Sequence, residues 1–121
     1  VTEELYPNRV LRERFSDYYE EDDVTIAADS SKGWTFDCRK YHTKTCIVVA
    51  DYALRFLIYV SNDYDPDTGS GHWFKYYDTY LTANEPAFVS FSEVFNYVYY
   101  YLYNPDSTDH TINSFTVCFQ V

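Results

Sequence analysis

The stretch Asn62-Asp63-Tyr64-Asp65-Pro66-Asp67-Thr68-Gly69-Ser70-Gly71 sets three carboxylates on alternate residues of a short loop. Calcium takes about six to eight oxygens, and carboxylates in this alternation can converge on one ion. Asp63, Asp65 and Asp67 are therefore candidate ligands for calcium, the one cofactor the sequence suggests. The EF-hand pattern is broken, because Thr68 occupies the glycine position and Phe74 the position of the bidentate glutamate. An acidic turn between two strands accounts for the same residues.

Cys38, His42 and Cys46 form the second cluster. A closed zinc site needs a fourth ligand, which only Cys118, His72 or His110 could bring from afar. A disulfide between Cys38 and Cys46, closing a hairpin over the residues between them, is the simpler expectation. Cys118 in the last strand could pair with either one instead, so the pairing stays open. Neither Gly-x-Ser-x-Gly nor His-Glu-x-x-His occurs, and with only 3 glycines there is no phosphate-binding loop. Carboxylates such as Asp51 and Asp78 could serve glycoside hydrolysis only in a cleft that nothing signals. The expectation is a protein that is not an enzyme.

Aromatic residues make up 21% of the chain and include 15 tyrosines. Tyrosine offers a large ring for burial and a hydroxyl that can stay wet, which suits half-buried binding faces. Phe95, Tyr97, Tyr99, Tyr101 and Tyr103 alternate with Val98, Tyr100 and Leu102, and Phe115, Val117, Phe119 and Val121 alternate after a turn at Asn104–Ser107. Period two around a turn predicts a β-hairpin. Large rings dominate cores, which favours the odd-numbered set as the buried one. In the opposite phase, Val98, Tyr100 and Leu102 point inward and the odd set becomes an aromatic ladder about 27 Å long. Tyr97, Tyr99, Tyr101 and Tyr103, with Trp73, Tyr76 and Tyr77, are the candidate binding residues for a protein or carbohydrate partner.

The elements that must position them read as short strands: 24–28, 34–38, 45–50, 53–61, 72–81, 87–91, 94–103 and 111–121. Asp, Asn and Ser-rich turns separate them. This spacing predicts an all-β protein, an antiparallel β-sandwich of jelly-roll kind over residues 24–121. Residues 1–23 read as a separate N-terminal segment: Asn8 caps a short helix with Val10, Leu11, Phe15 and Tyr18 on one side, and an acidic run from Asp17 to Asp23 ends it.

The net charge of −10 leaves no basic patch for a nucleic-acid backbone. No window approaches the roughly 20 apolar residues of a membrane helix. A chain that begins at Val1 and lacks methionine reads as a processed mature chain or an excised domain. The expectation is a secreted or cell-surface binding domain. Two alternatives remain: a subunit that assembles with copies of itself through the N-terminal arm, and an acidic inhibitor of a basic partner.

Overall fold

The computed structural model describes residues 16–121. Eight strands follow in order: β1 (Ser16–Ile26), β2 (Ser31–Asp37), β3 (Thr43–Ala50), β4 (Arg55–Ser61), β5 (Phe74–Tyr80), β6 (Ala87–Phe91), β7 (Tyr97–Tyr103) and β8 (His110–Gln120). They form two four-stranded antiparallel sheets, ordered β1-β8-β3-β6 and β2-β7-β4-β5. This is the all-β sandwich with jelly-roll strand order that the turn spacing predicts. Among the described residues no helix is long and apolar enough to cross a membrane.

Three expectations change. The predicted helix lies outside the described residues except for Tyr18, and Tyr18 belongs to β1. The acidic run that was expected to end a helix instead lies in β1, paired with β8 from Ser16↔Gln120 to Ile26↔His110 except at Asp23, where φ is +54° and the inward-facing positions change from odd to even. An edge strand tolerates this charge because Asp17, Glu20, Asp22 and Asp23 are exposed. Secondly, β7 and β8 are not a hairpin: β7 pairs with β2 and β4, whereas β8 pairs with β1 and β3. Alternation reports which face of a strand is buried but not which strand lies beside it. Thirdly, Val98, Tyr100 and Leu102 are the inward set of β7, all fully buried; of the odd-numbered tyrosines on the other face, Tyr99, Tyr101 and Tyr103 are half-buried and Tyr97 is buried, with Tyr64 packed against it.

Between the sheets, Trp34 of β2 stacks on Phe115 of β8 with ring centres 4.0 Å apart. Tyr100 meets Phe115 edge-on at 5.7 Å and lies 5.8 Å from Phe36. At the β1–β2 seam, the Trp34 indole Nε1 donates to Glu21 at 3.0 Å, so a carboxylate on one edge strand holds a ring on the other sheet. Lys44, fully buried on the inner face of β3, donates its Nζ to the carbonyls of Glu93 (2.8 Å) and His42 (3.2 Å).

Every connection except β4–β5 passes from one sheet to the other. The corner from β7 to β8 depends on Asn104, which is fully buried. Its Nδ2 donates to the carbonyls of Thr108 (2.8 Å), Ile26 (3.1 Å) and Ala27 (3.3 Å), and its Oδ1 accepts from the amide of Asp106 at 3.0 Å. Beside it, His110 stacks on Tyr52 at 4.0 Å and bridges Asp106 (2.7 Å) and Asp51 (3.2 Å). The hydrogen bond that the His110 ring makes to the Asp106 carboxylate raises the His110 pKa above its ordinary 6.5, and Asp106 is lowered in return.

All three cysteines are free. The expected Cys38–Cys46 bridge is not present, and the loop between those residues is a crossover between sheets rather than a hairpin. Burial pushes the Cys38 thiol to about 11 and raises Cys46 further. Cys118 stands opposite Thr45 on the outer face of its sheet, away from both.

The Tyr100 hydroxyl is buried and has no hydrogen-bond partner. Removing an unpaired buried hydroxyl without changing the ring relieves its desolvation. Tyr100→Phe should therefore raise the stability by about 1 kcal/mol in urea unfolding. Asn104→Ala removes the buried bond to the Ile26 carbonyl and the part-buried ones to Ala27 and Thr108, and should cost about 2–3 kcal/mol in the same experiment. The His110–Asp106 pair is complete only while His110 is charged and Asp106 ionised. Its contribution is present below the ordinary histidine pKa and is lost as pH rises through the raised value. The difference in melting temperature between wild type and His110→Gln should therefore be largest below the ordinary histidine pKa and narrow as pH rises through the raised value.

Candidate binding groove

The outward residues of β7 stand beside those of β4 and β2, since Tyr99 pairs with Tyr59 and with Thr35, and Tyr101 with Leu57 and with Gly33. Cross-strand partners share a face, so this sheet carries a continuous aromatic surface toward solvent. The Tyr99 ring is 5.8 Å from Tyr101, 6.3 Å from Tyr59 and 5.9 Å from Trp73. Tyr64 lies 5.0 Å from Trp73 and packs edge-on against Tyr97 at 5.2 Å. Thr35, Tyr59, Tyr64, Trp73 and Tyr99 line a groove of about 350 Å³. Arg55, Leu57, Tyr59, Lys75, Tyr101 and Tyr103 line a second hollow of about 280 Å³, and Tyr59 is common to both.

Two glycines make the groove. A methyl group on Gly33 would fall 2.1 Å from the Tyr99 hydroxyl, so the Tyr99 ring lies across β2 only because no side chain stands there. Gly71 has a φ of +132°, and a Cβ there would come within 2.6 Å of the Tyr64 backbone. That close approach returns the β4–β5 loop on itself and brings Tyr64 and Trp73, from its two ends, into tilted ring contact.

The same loop was the calcium candidate. Asp63 accepts from Ser61 (3.1 Å), the His72 amide (2.8 Å) and the His72 ring (2.6 Å), and the His72 hydrogen bond holds its pKa down at about 2. Asp65 accepts from the Asp67 amide at 2.9 Å. Two of the three carboxylates, Asp63 and Asp65, thus serve the turn, with Asp67 contributing its backbone amide, and among the described residues no group of three His, Cys, Asp or Glu side chains is placed to hold a metal.

Of the residues expected from sequence, the structure brings Trp73, Tyr97, Tyr99, Tyr101 and Tyr103 to one face. Tyr76 and Tyr77 go elsewhere. A β-bulge between Ile58 and Tyr59 shifts the register of β5. Tyr77 then packs on Phe56 in the core at 5.9 Å, and Tyr76 lies 4.7 Å from Phe91, its hydroxyl donating to Glu93. Tyr59 and Tyr64 were missed. Tyr59 alternates with Arg55 and Leu57 in β4, a signal that was present, whereas Tyr64 was hidden among the loop carboxylates.

The polar end of the face is an ion network. Arg55 grips Asp78 with two hydrogen bonds, 3.0 and 2.7 Å long, and Lys75 reaches the same carboxylate at 3.1 Å. The Arg55 hydrogen bonds hold Asp78 at about 2. Across the sheet, the Tyr103 hydroxyl donates to Asp29.

No family model and no curated protein matches the sequence. Solved structures do match the fold. The crystal structure of the PBSX exported protein XepA superposes with a TM-score of 0.65 at 9% identity, over 86% of this chain and 36% of that one. The chain thus spans about a third of XepA. PirA matches with a TM-score of 0.52 at 10% identity, over 88% of this chain and 94% of PirA. The Yersinia pseudotuberculosis-derived mitogen matches with a TM-score of 0.50 at 12% identity, over 88% and 85% of the two chains. Identities this low establish the shared sandwich and nothing finer.

Gly71→Ala forces a side chain against the Tyr64 backbone at a positive φ. Near-ultraviolet circular dichroism should lose the Trp73–Tyr64 coupling in this variant, while the far-ultraviolet spectrum of the two sheets stays unchanged.

Proposed function

We propose that this protein is a non-enzymatic, extracellular binding domain that holds its partner across the outer face of the β2-β7-β4-β5 sheet. A carbohydrate chain is the best-supported partner. One observation carries this reading: the groove in which Trp73, Tyr64, Tyr99 and Tyr59 expose ring surface beside phenolic hydroxyls. Aromatic faces attract the polarised C–H bonds of sugar rings, and hydroxyls at their edges fix orientation. A short protein segment would use the same anchors. XepA is described as an exported protein, which agrees with an extracellular setting.

Assembly with copies of itself is the second reading, favoured by the exposure of Phe88 (68%) and Val94 (61%) at and just beyond β6. Among the described residues that strand is an edge of its sheet.

Trp73→Ala and Tyr99→Ala should each weaken binding to an immobilised glycan panel roughly tenfold or more, with unchanged melting temperatures. Binding that survives both substitutions would sink the groove assignment. Light scattering of the purified chain separates the second reading, which requires large uniform particles.

A further inference from the structure

Resting on the carbohydrate reading, we infer that the ligand is an acidic glycan, a chain bearing uronic-acid carboxylates rather than a neutral one. The aromatic hollow adjoins, at Tyr59, the hollow that contains Arg55 and Lys75. Those two cations share one carboxylate, Asp78, with Arg55 at 2.7 Å and Lys75 at 3.1 Å. One positive charge on this wall is therefore uncompensated, in a chain whose net charge is −10. Asp29, the nearby carboxylate that touches Tyr103, stands at the β2 side of the sheet, opposite the β4–β5 wall.

The partition of chemistry follows the sheet. Trp73, Tyr64 and Tyr99 stack one part of the chain, and the next sugars pass over Tyr59 toward Tyr101 and Tyr103. Along β7 the distance from Tyr97 to Tyr103 is roughly 20 Å at strand rise, enough for several sugar rings. A sugar carboxylate there meets the Lys75 ammonium, which keeps protons that Asp78 does not use, and the phenols of Tyr101 and Tyr103 serve the ring hydroxyls. Lys75 is exposed and Arg55 half-buried, so the wall is open to ligand.

Titration calorimetry of the full chain with a hexagalacturonate and with cellohexaose tests this. The acidic hexamer should bind about tenfold more tightly at low salt, its advantage should shrink as salt is raised, and Lys75→Gln should remove most of it. Equal affinity for the two hexamers, or a preference for cellohexaose, would overturn the acidic assignment and leave the groove reading intact. Binding of neither would overturn both.

Discussion

Tyr100 sits where the two sheets meet, edge-on to Phe115 and against Phe36, while its cross-strand partner Trp34 stacks on Phe115. The interlock fixes which way β7 faces. With Tyr100, Val98 and Leu102 inside, the four odd-numbered tyrosines have only the outer surface to occupy. One choice of phase therefore fills the core and builds the groove floor together. The groove is not an addition to the sandwich but the other side of its central strand. The unpaired Tyr100 hydroxyl is a local cost of that arrangement, offset by the ring contacts around it.

The architecture of the face divides the work between a flat sheet and one loop. Strands β2, β7 and β4 supply a fixed floor, with Gly33 leaving room for the Tyr99 ring. The β4–β5 loop supplies the wall, and its carboxylates act as turn builders: Asp63 holds His72, and Asp65 caps the backbone of Asp67. Acidic residues thus do indirect work, placing Tyr64 and Trp73. Arg55 and Lys75 keep the other end of the face from sharing the negative charge of the chain.

Strand positions were legible because alternation of β-branched and aromatic residues between Asp, Asn and Ser turns leaves few other structures open. Partnership was not. The 95–121 stretch has the pattern of a hairpin and forms a crossover, since period two is blind to which sheet a strand joins. Asn104 was the missing signal: a buried amide with four hydrogen bonds makes the corner, yet in sequence it is one more turn residue. The displacement of Tyr76 and Tyr77 had a similar origin, because a one-residue bulge inverts the facing that alternation assigns. In the loop 62–71 an attractive metal pattern concealed Tyr64. The acidic run before Val24 resembled the end of a helix because its charge outweighed the pattern Tyr19, Glu21, Val24, Ile26 that faces the sandwich.

The strand order has a consequence for how the protein comes into being. In one sheet, β1 and β3 are both partnered by β8, the last strand of the chain. Neither can complete its pairing until β8 has been synthesised. The β4–β5 unit is different, being the one pair of sequence neighbours that also lie side by side. A nascent chain can therefore close the loop that carries Tyr64 and Trp73 before β8 emerges, whereas β1 waits for β8 to pair. Topologies dominated by distant pairings fold slowly. The exposed carboxylates of β1 give the waiting strand the charge that keeps it from pairing with a neighbour.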